Sequence, residues 1–271
     1  MKMRLTLAAL VFACAPLAVA ADAGFQRLTE VLDLDAYIEI TRQEGLEELD
    51  ALSRDMLGRP AGAAFIQQMT KVYDAARLRN VVRAALQERL TPDQITASLI
   101  FWDSETGAQI GDLELAARRA ISDPDIETAA RLAWVQAEDT RPELVKKINT
   151  VTSLNDLVER NVSGALNSNF RFYQGMADGN GLNLSEAEMI AEVWGQETEI
   201  RIDTAAWLGA YQLLAYQPLP DAVLDDYILY WQTQTGQALN AALFDSFNLI
   251  YDEVSYATGR VIALNMGGQD L

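Results

Sequence analysis

The sequence predicts an all-α protein: two tandem multi-helix units packed as a bundle-like array behind an N-terminal signal peptide. Three observations predict it. Apolar residues recur at helical spacing along most of the chain. Sustained period-2 alternation is scarce and hairpin dipeptides are nearly absent, the exception being Ala177-Asp178-Gly179-Asn180-Gly181, which reads as a loop between helices. Finally, a shift of 129 residues lays Leu99-Ile100-Phe101-Trp102-Asp103-Ser104-Glu105-Thr106-Gly107 on Ile228-Leu229-Tyr230-Trp231-Gln232-Thr233-Gln234-Thr235-Gly236, with three identities and five close replacements in nine positions.

Residues 1–20 read as an address. Lys2 and Arg4 precede an apolar run from Leu5 to Ala15, Pro16 breaks it, and Ala18-Val19-Ala20 supplies small residues for cleavage. The alternative is a lipoprotein signal with Cys14 as the lipid-bearing residue, but bulky Phe12 stands where a small residue is expected. No later stretch approaches the ~20 apolar residues of a spanning helix. The expected location is the periplasm, with no transmembrane segment in the mature chain.

The first unit is expected over residues 25–139. Leu46, Leu49, Leu52, Met56 and Leu57 form one apolar stripe, and Leu78, Val81, Val82, Ala85 and Leu86 another. The second unit is expected over 141–262, followed by a short tail, 263–271. Within it Ser185 and Glu188 read as a capping box opening a helix that runs to residue 216. The shift of 129 also carries Ile110 onto Leu239 and Ile121 onto Ile250, and upstream it places Leu78 on Trp207 and Val82 on Tyr211. Further upstream the register slips, and the glycine-rich stretch near 178–183 is the natural site of an insertion.

The repeated segment has a local explanation as a helix–turn–helix corner. An apolar helix ends on an aromatic pair, and Ser104 or Thr233 then caps the next helix. Gly107 and Gly236 fall near its third position, where a side chain would obstruct the preceding aromatic pair. A functional reading adds that the paired corners line a shared groove walled by Trp102 and Trp231.

An aromatic pair, a spacer, Ser or Thr, two residues and Gly, opening a helix in a secreted chain, resembles the bacterial domain of unknown function 2059, here in two copies. That family's motif usually reads Phe-Tyr, a spacer, Ser-Pro, a residue, Gly; this chain has Trp for Tyr and Glu105 or Gln234 in place of proline. Leu90-Thr91-Pro92-Asp93 is similar to the helix start that precedes the motif. The resemblance implies a small helical periplasmic protein and no particular reaction.

Composition closes several chemistries. The 39 acidic residues exceed the 21 basic ones for a net charge of -18, which argues against nucleic acid as a partner. Histidine is absent, and Cys14 is the only cysteine. The commonest general base, the commonest metal ligand and any thiol nucleophile in the mature chain are therefore missing. No Ser-x-x-Lys or Gly-x-Ser-x-Gly arrangement and no phosphate-binding glycine fingerprint is present. Asp178, Asn180 and Asn183 do not fit a calcium-loop frame, so neither metal nor cofactor is expected. Glu188 and Glu192 share a helix face near Trp194, but such pairs are common in so acidic a chain, and a solvated face explains them better than glycan hydrolysis. Arg77, Arg79, Arg83 and Arg89 with Lys71 form the one clearly basic stretch, expected to pair with the acidic helix near residues 44–50 in preference to an acidic partner.

Aromatic residues crowd the second unit: of 21 beyond the signal, 14 lie from Phe170 onward. Half-exposed tyrosine and tryptophan suit binding surfaces, so Trp102, Trp207, Tyr211, Tyr227, Tyr230 and Trp231 are the candidate groove residues, weighted toward the second unit. The expected function is non-catalytic binding of a protein partner or a small apolar ligand. A structural or quality-control envelope component is the alternative, and a carboxylate-dependent glycan hydrolase the remote one.

Overall fold

The computed structural model describes residues 15–266, all of whose regular structure is helical. Fourteen helices follow in order: α1 (Ala15–Val31), α2 (Leu34–Glu47), α3 (Leu49–Leu57), α4 (Ala63–Val72), α5 (Ala75–Arg89), α6 (Pro92–Trp102), α7 (Glu105–Ala120), α8 (Pro124–Thr140), α9 (Pro142–Leu154), α10 (Leu157–Asp178), α11 (Glu186–Trp194), α12 (Glu197–Tyr216), α13 (Asp221–Trp231) and α14 (Gln234–Met266). Most of the proposed signal, with Lys2, Arg4 and Cys14, lies outside the described residues. None of the described helices is long and apolar enough to cross a membrane.

Local chemistry accounts for several boundaries. Thr91 and Gln94 close a capping box on α6, with Pro92 in the first turn. Ser185 and Glu188 close another on α11. The helix expected from 185 to 216 is broken at Gly195-Gln196 into α11 and α12, and the stripe from Leu46 to Leu57 is broken at Glu48. Both halves of that stripe still pack into one cluster with Phe65, Met69 and Ile262. The second stretch does not end at residue 262: α14 continues to Met266, with Ala263 buried in it.

Asp33 and Asp156 adopt left-handed backbone conformations (φ 49° and 53°) at the α1–α2 and α9–α10 junctions, a conformation that Asp tolerates better than most residues. They stand 123 positions apart, six fewer than the corner motifs. The surplus in the second stretch falls after Asp156, where α10 has 22 residues against 14 in α2.

Residues from both stretches build one core. Phe25, Leu86, Trp102 and Ile110 share a buried cluster with Ile148, Leu213, Leu224, Tyr227, Trp231 and Leu239. Through it α14, about 50 Å long at helical rise, lies against α5, α6, α10 and α13, while α12 lies against α7, α8 and α10. The α10–α14 crossing is close because glycines face the opposing backbone. A Cβ on Gly175 would sit 2.0 Å from the Tyr256 carbonyl oxygen, and one on Gly259 2.2 Å from that of Phe172.

The arginine stretch is paired within the chain, though not with residues 44–50. Arg77 meets Glu253 at 2.5 Å, Arg79 and Arg83 both approach Asp35 at 3.7 Å, and Arg89 lies 3.5 Å from Asp245. The reason is topological: α5 packs on α2 and α14, which carry these acids. In the 44–50 segment Glu44 is taken by Arg118 and Asp50 by Arg54.

Candidate functional site: an aromatic pocket between two helix corners

The two corners have the same cap. Gly107 N–H donates to Ser104 Oγ at 3.1 Å, and Gly236 N–H to Thr233 Oγ1 at 3.0 Å. A Cβ on Gly107 would stand 2.2 Å from the Phe101 carbonyl oxygen and 2.7 Å from Trp102 Cα; on Gly236 the matching distances are 2.4 Å to Tyr230 and 3.1 Å to Trp231. The glycines thus bring each new helix hard against the end of the old one, which turns the aromatic pairs inward. There the pairs meet. Phe101 stacks on Tyr230 with centroids 4.4 Å apart, and Trp102 lies edge-on to Trp231 at 6.1 Å.

Behind this contact opens a cavity of about 560 Å³, within the range of small-molecule sites. Trp102, Trp207, Tyr211, Tyr227 and Trp231 all line it, so five of the six groove residues come together. Tyr230 does not. Its ring is held against Phe101, and its hydroxyl lies 3.4 Å from Ser98 Oγ, on the far side of the corner contact. The pocket is not confined to the second stretch either, since Tyr37, Gly111, Glu114 and Arg118 line it together with Phe244, Phe247 and Tyr251.

Most of the wall is apolar, and its polar groups include Thr41, Asn161, Ser168 and Asn248 as well as Glu114 and Arg118. Glu114 projects from α7 and is enclosed by protein, its remaining exposure being to the pocket it lines. Tyr216 and Tyr227 hydroxyls both donate to its Oε1, each at 2.6 Å, and the Tyr211 hydroxyl lies 3.3 Å from its backbone oxygen. Oε2 accepts no hydrogen bond within the described residues. Burial pushes the Glu114 carboxyl up from its ordinary range, against the two tyrosine hydrogen bonds that pull it down. Burial, then the Glu114 charge, lifts the Tyr216 and Tyr227 hydroxyls, so both remain protonated donors.

One turn along α7, Arg118 forks onto Glu44 with two contacts of 2.6 Å and lies 5.8 Å from the centre of the Trp207 ring. Burial raises the Glu44 carboxyl, but the hydrogen bonds from Arg118 and Ser122 outweigh it and hold the group below its usual pKa. Arg118 is therefore neutralised at the pocket edge, while Glu114 has no basic partner among the described residues. The indole N–H groups of Trp102 and Trp231 are buried beside the Tyr230 and Tyr227 hydroxyls without making a hydrogen bond of good geometry.

Glu114, Arg118, Tyr37 and Tyr216 escaped the sequence reading. A signal for Glu114 was there: Gly107, Ile110, Glu114 and Ala117 follow helical spacing, and the other three are buried. An acidic residue on an apolar stripe is a buried charge in waiting. Glu188 and Glu192, by contrast, are exposed, and Glu188 spends its carboxylate on the Ser185 cap. Asp178 accepts the Tyr256 hydroxyl at 2.7 Å. Among the described residues no group of three or more acidic, histidine or cysteine side chains could hold a metal ion.

No family model, curated protein or solved structure matches the chain. The functional reading therefore rests on the pocket.

Proposed function

We propose that this is a non-catalytic binding protein whose ligand is a small, largely apolar molecule held between the two helix corners. The observation that carries the reading is the 560 Å³ pocket walled by aromatic residues of both corners, with a few polar atoms converging on it. The lining supplies one carboxyl, Glu114, where acid–base glycan cleavage uses two, and this favours binding over that reaction. Secretion to the periplasm belongs to the same proposal and rests on residues 1–20. Kinship with the domain of unknown function 2059 is likewise proposed, on the two corner motifs alone.

Native mass spectrometry of the chain isolated gently from its source tests the reading. The expected result is a retained mass of small-molecule size, lost in Gly111→Leu. Gly111 lines the pocket, and a Cβ there meets nothing nearer than the Val31 carbonyl oxygen at 3.7 Å, so the added side chain fills the cavity without a clash at the backbone. A bare chain that also takes up no apolar probe would refute it.

One observation favours a protein partner as the second reading. Ile100 and Leu229, equivalent positions of the two corners, are both exposed, at 78% and 59%. Buried area at such residues is a common source of association energy.

A further inference from the structure

We propose, building on the pocket reading above, that the ligand is an organic cation, a quaternary or alkylated ammonium on an apolar body, caged by aromatic rings against the Glu114 carboxylate. Three features of the pocket converge on that chemistry. Trp102, Tyr227 and Trp231 line one space, and aromatic faces attract a cation that has few hydrogen bonds to lose. Glu114 lines the same space, and with its Oε1 occupied by Tyr216 and Tyr227 its other carboxylate oxygen is left without a hydrogen bond among the described residues. The other charge on the wall, Arg118, is already matched by Glu44, so the lining carries one unbalanced negative group.

A neutral apolar ligand would leave the carboxylate with its two tyrosine donors and no opposite charge. An anionic ligand would meet it with like charge. The groups that face Glu114 are Tyr37, Tyr211, Tyr216 and Tyr227, with Arg118 one turn away. None of the tyrosines supplies charge, so a bound cation becomes the partner that burial denies the carboxyl. Where Glu114 holds a proton in the empty pocket, the cation displaces it to solvent.

Isothermal titration with phenyltrimethylammonium and with tert-butylbenzene, its neutral isostere, tests the inference on the intact chain. The cation is expected to bind about tenfold or more tightly than the isostere, as desolvated cation–π and ion contacts allow. Glu114→Gln, which keeps the acceptor for Tyr216 and Tyr227, is expected to erase the preference and the accompanying proton release. Equal binding of both probes, unchanged by Glu114→Gln, would overturn the inference and leave the apolar pocket standing. Failure of both probes to bind would overturn the inference and the pocket reading together. Should Glu114→Gln not fold, the cation-to-isostere ratio of the unmodified chain decides. Pelleting with phosphatidylcholine vesicles, lost in Glu114→Gln, would place the ammonium on a lipid headgroup; probe binding without pelleting places it on a free amine.

Discussion

At the α6–α7 corner, Ser104 caps the helix and Gly107 presses against the Phe101-Trp102 backbone; 129 residues on, Thr233, Gly236 and Tyr230-Trp231 repeat the arrangement. Beyond the cap the two helices part company. The same shift places Glu114 on Leu243 and Arg118 on Phe247, and all four line the pocket. The first corner therefore contributes the polar side of the site and the second the apolar side. Upstream the roles reverse: Leu78 and Val82 fill the core, while their counterparts Trp207 and Tyr211 line the cavity. At both corners the turn chemistry is the same because the geometry demands it. The inward positions are free to diverge because a cavity, unlike a packed core, does not fix what faces it.

The sharpest way to break the comparison is at the glycines. Gly107→Val should cost about 3 kcal/mol or more, because its Cβ would lie within 2.7 Å of two backbone atoms that cannot move independently. Gly236→Val should cost less, about 1–3 kcal/mol, since its second contact is relaxed to 3.1 Å. Urea denaturation measures both, and unchanged midpoints would dissolve the corner argument.

Next is the divergence at Glu114. Giving it the residue of its counterpart, Glu114→Leu, strands the Tyr216 and Tyr227 hydroxyls in the core and should lose about 2 kcal/mol. Adding Tyr216→Phe and Tyr227→Phe removes the stranded donors and should bring stability back to within about 1 kcal/mol of the unmodified chain or above it. A triple variant as unstable as the single one would mean that Glu114 supports the fold by some route other than these bonds.

A smaller effect is the pH dependence. Burial lifts the Glu114 carboxyl, so the folded chain holds that proton more tightly than the unfolded chain. Its contribution to stability is complete below the ordinary glutamate pKa and is lost as pH rises through the lifted value. Glu44 runs in the opposite sense: held low by Arg118 and Ser122, it stabilises above the ordinary range and its contribution is lost as pH falls through the lowered value. Urea midpoints of the unmodified chain and Glu114→Gln, followed upward from pH ~4.5, should therefore converge or cross toward higher pH. Parallel curves would contradict the assignment.

Much of this architecture was legible in the sequence, and the limits have physical causes. The all-α class and the Ser185 cap follow from local spacing and hydrogen-bonding groups, which act within a few residues. The break at Glu48 was hidden because the apolar stripe runs on across it, whereas Gly195, a poor helix former, did carry a local signal for the break between α11 and α12. Trp102 and Trp231 could be paired because the repeat marks both. Tyr230 was misplaced because adjacent residues on a helix point about 100° apart, so one of a neighbouring pair faces the cavity and the other the corner contact. The Glu44–Arg118 pairing spans 74 residues and depends on how α2 meets α7, which no local pattern encodes.

The most direct test of the central claim is a fluorescence titration of the unmodified chain and Gly111→Leu with the neutral apolar dye N-phenyl-1-naphthylamine. A single saturable site per chain, quenching the tryptophan emission and abolished in the folded Gly111→Leu variant, is the result predicted by a binding pocket between the corners. Saturable binding that survives Gly111→Leu, or none in the unmodified chain, would contradict it.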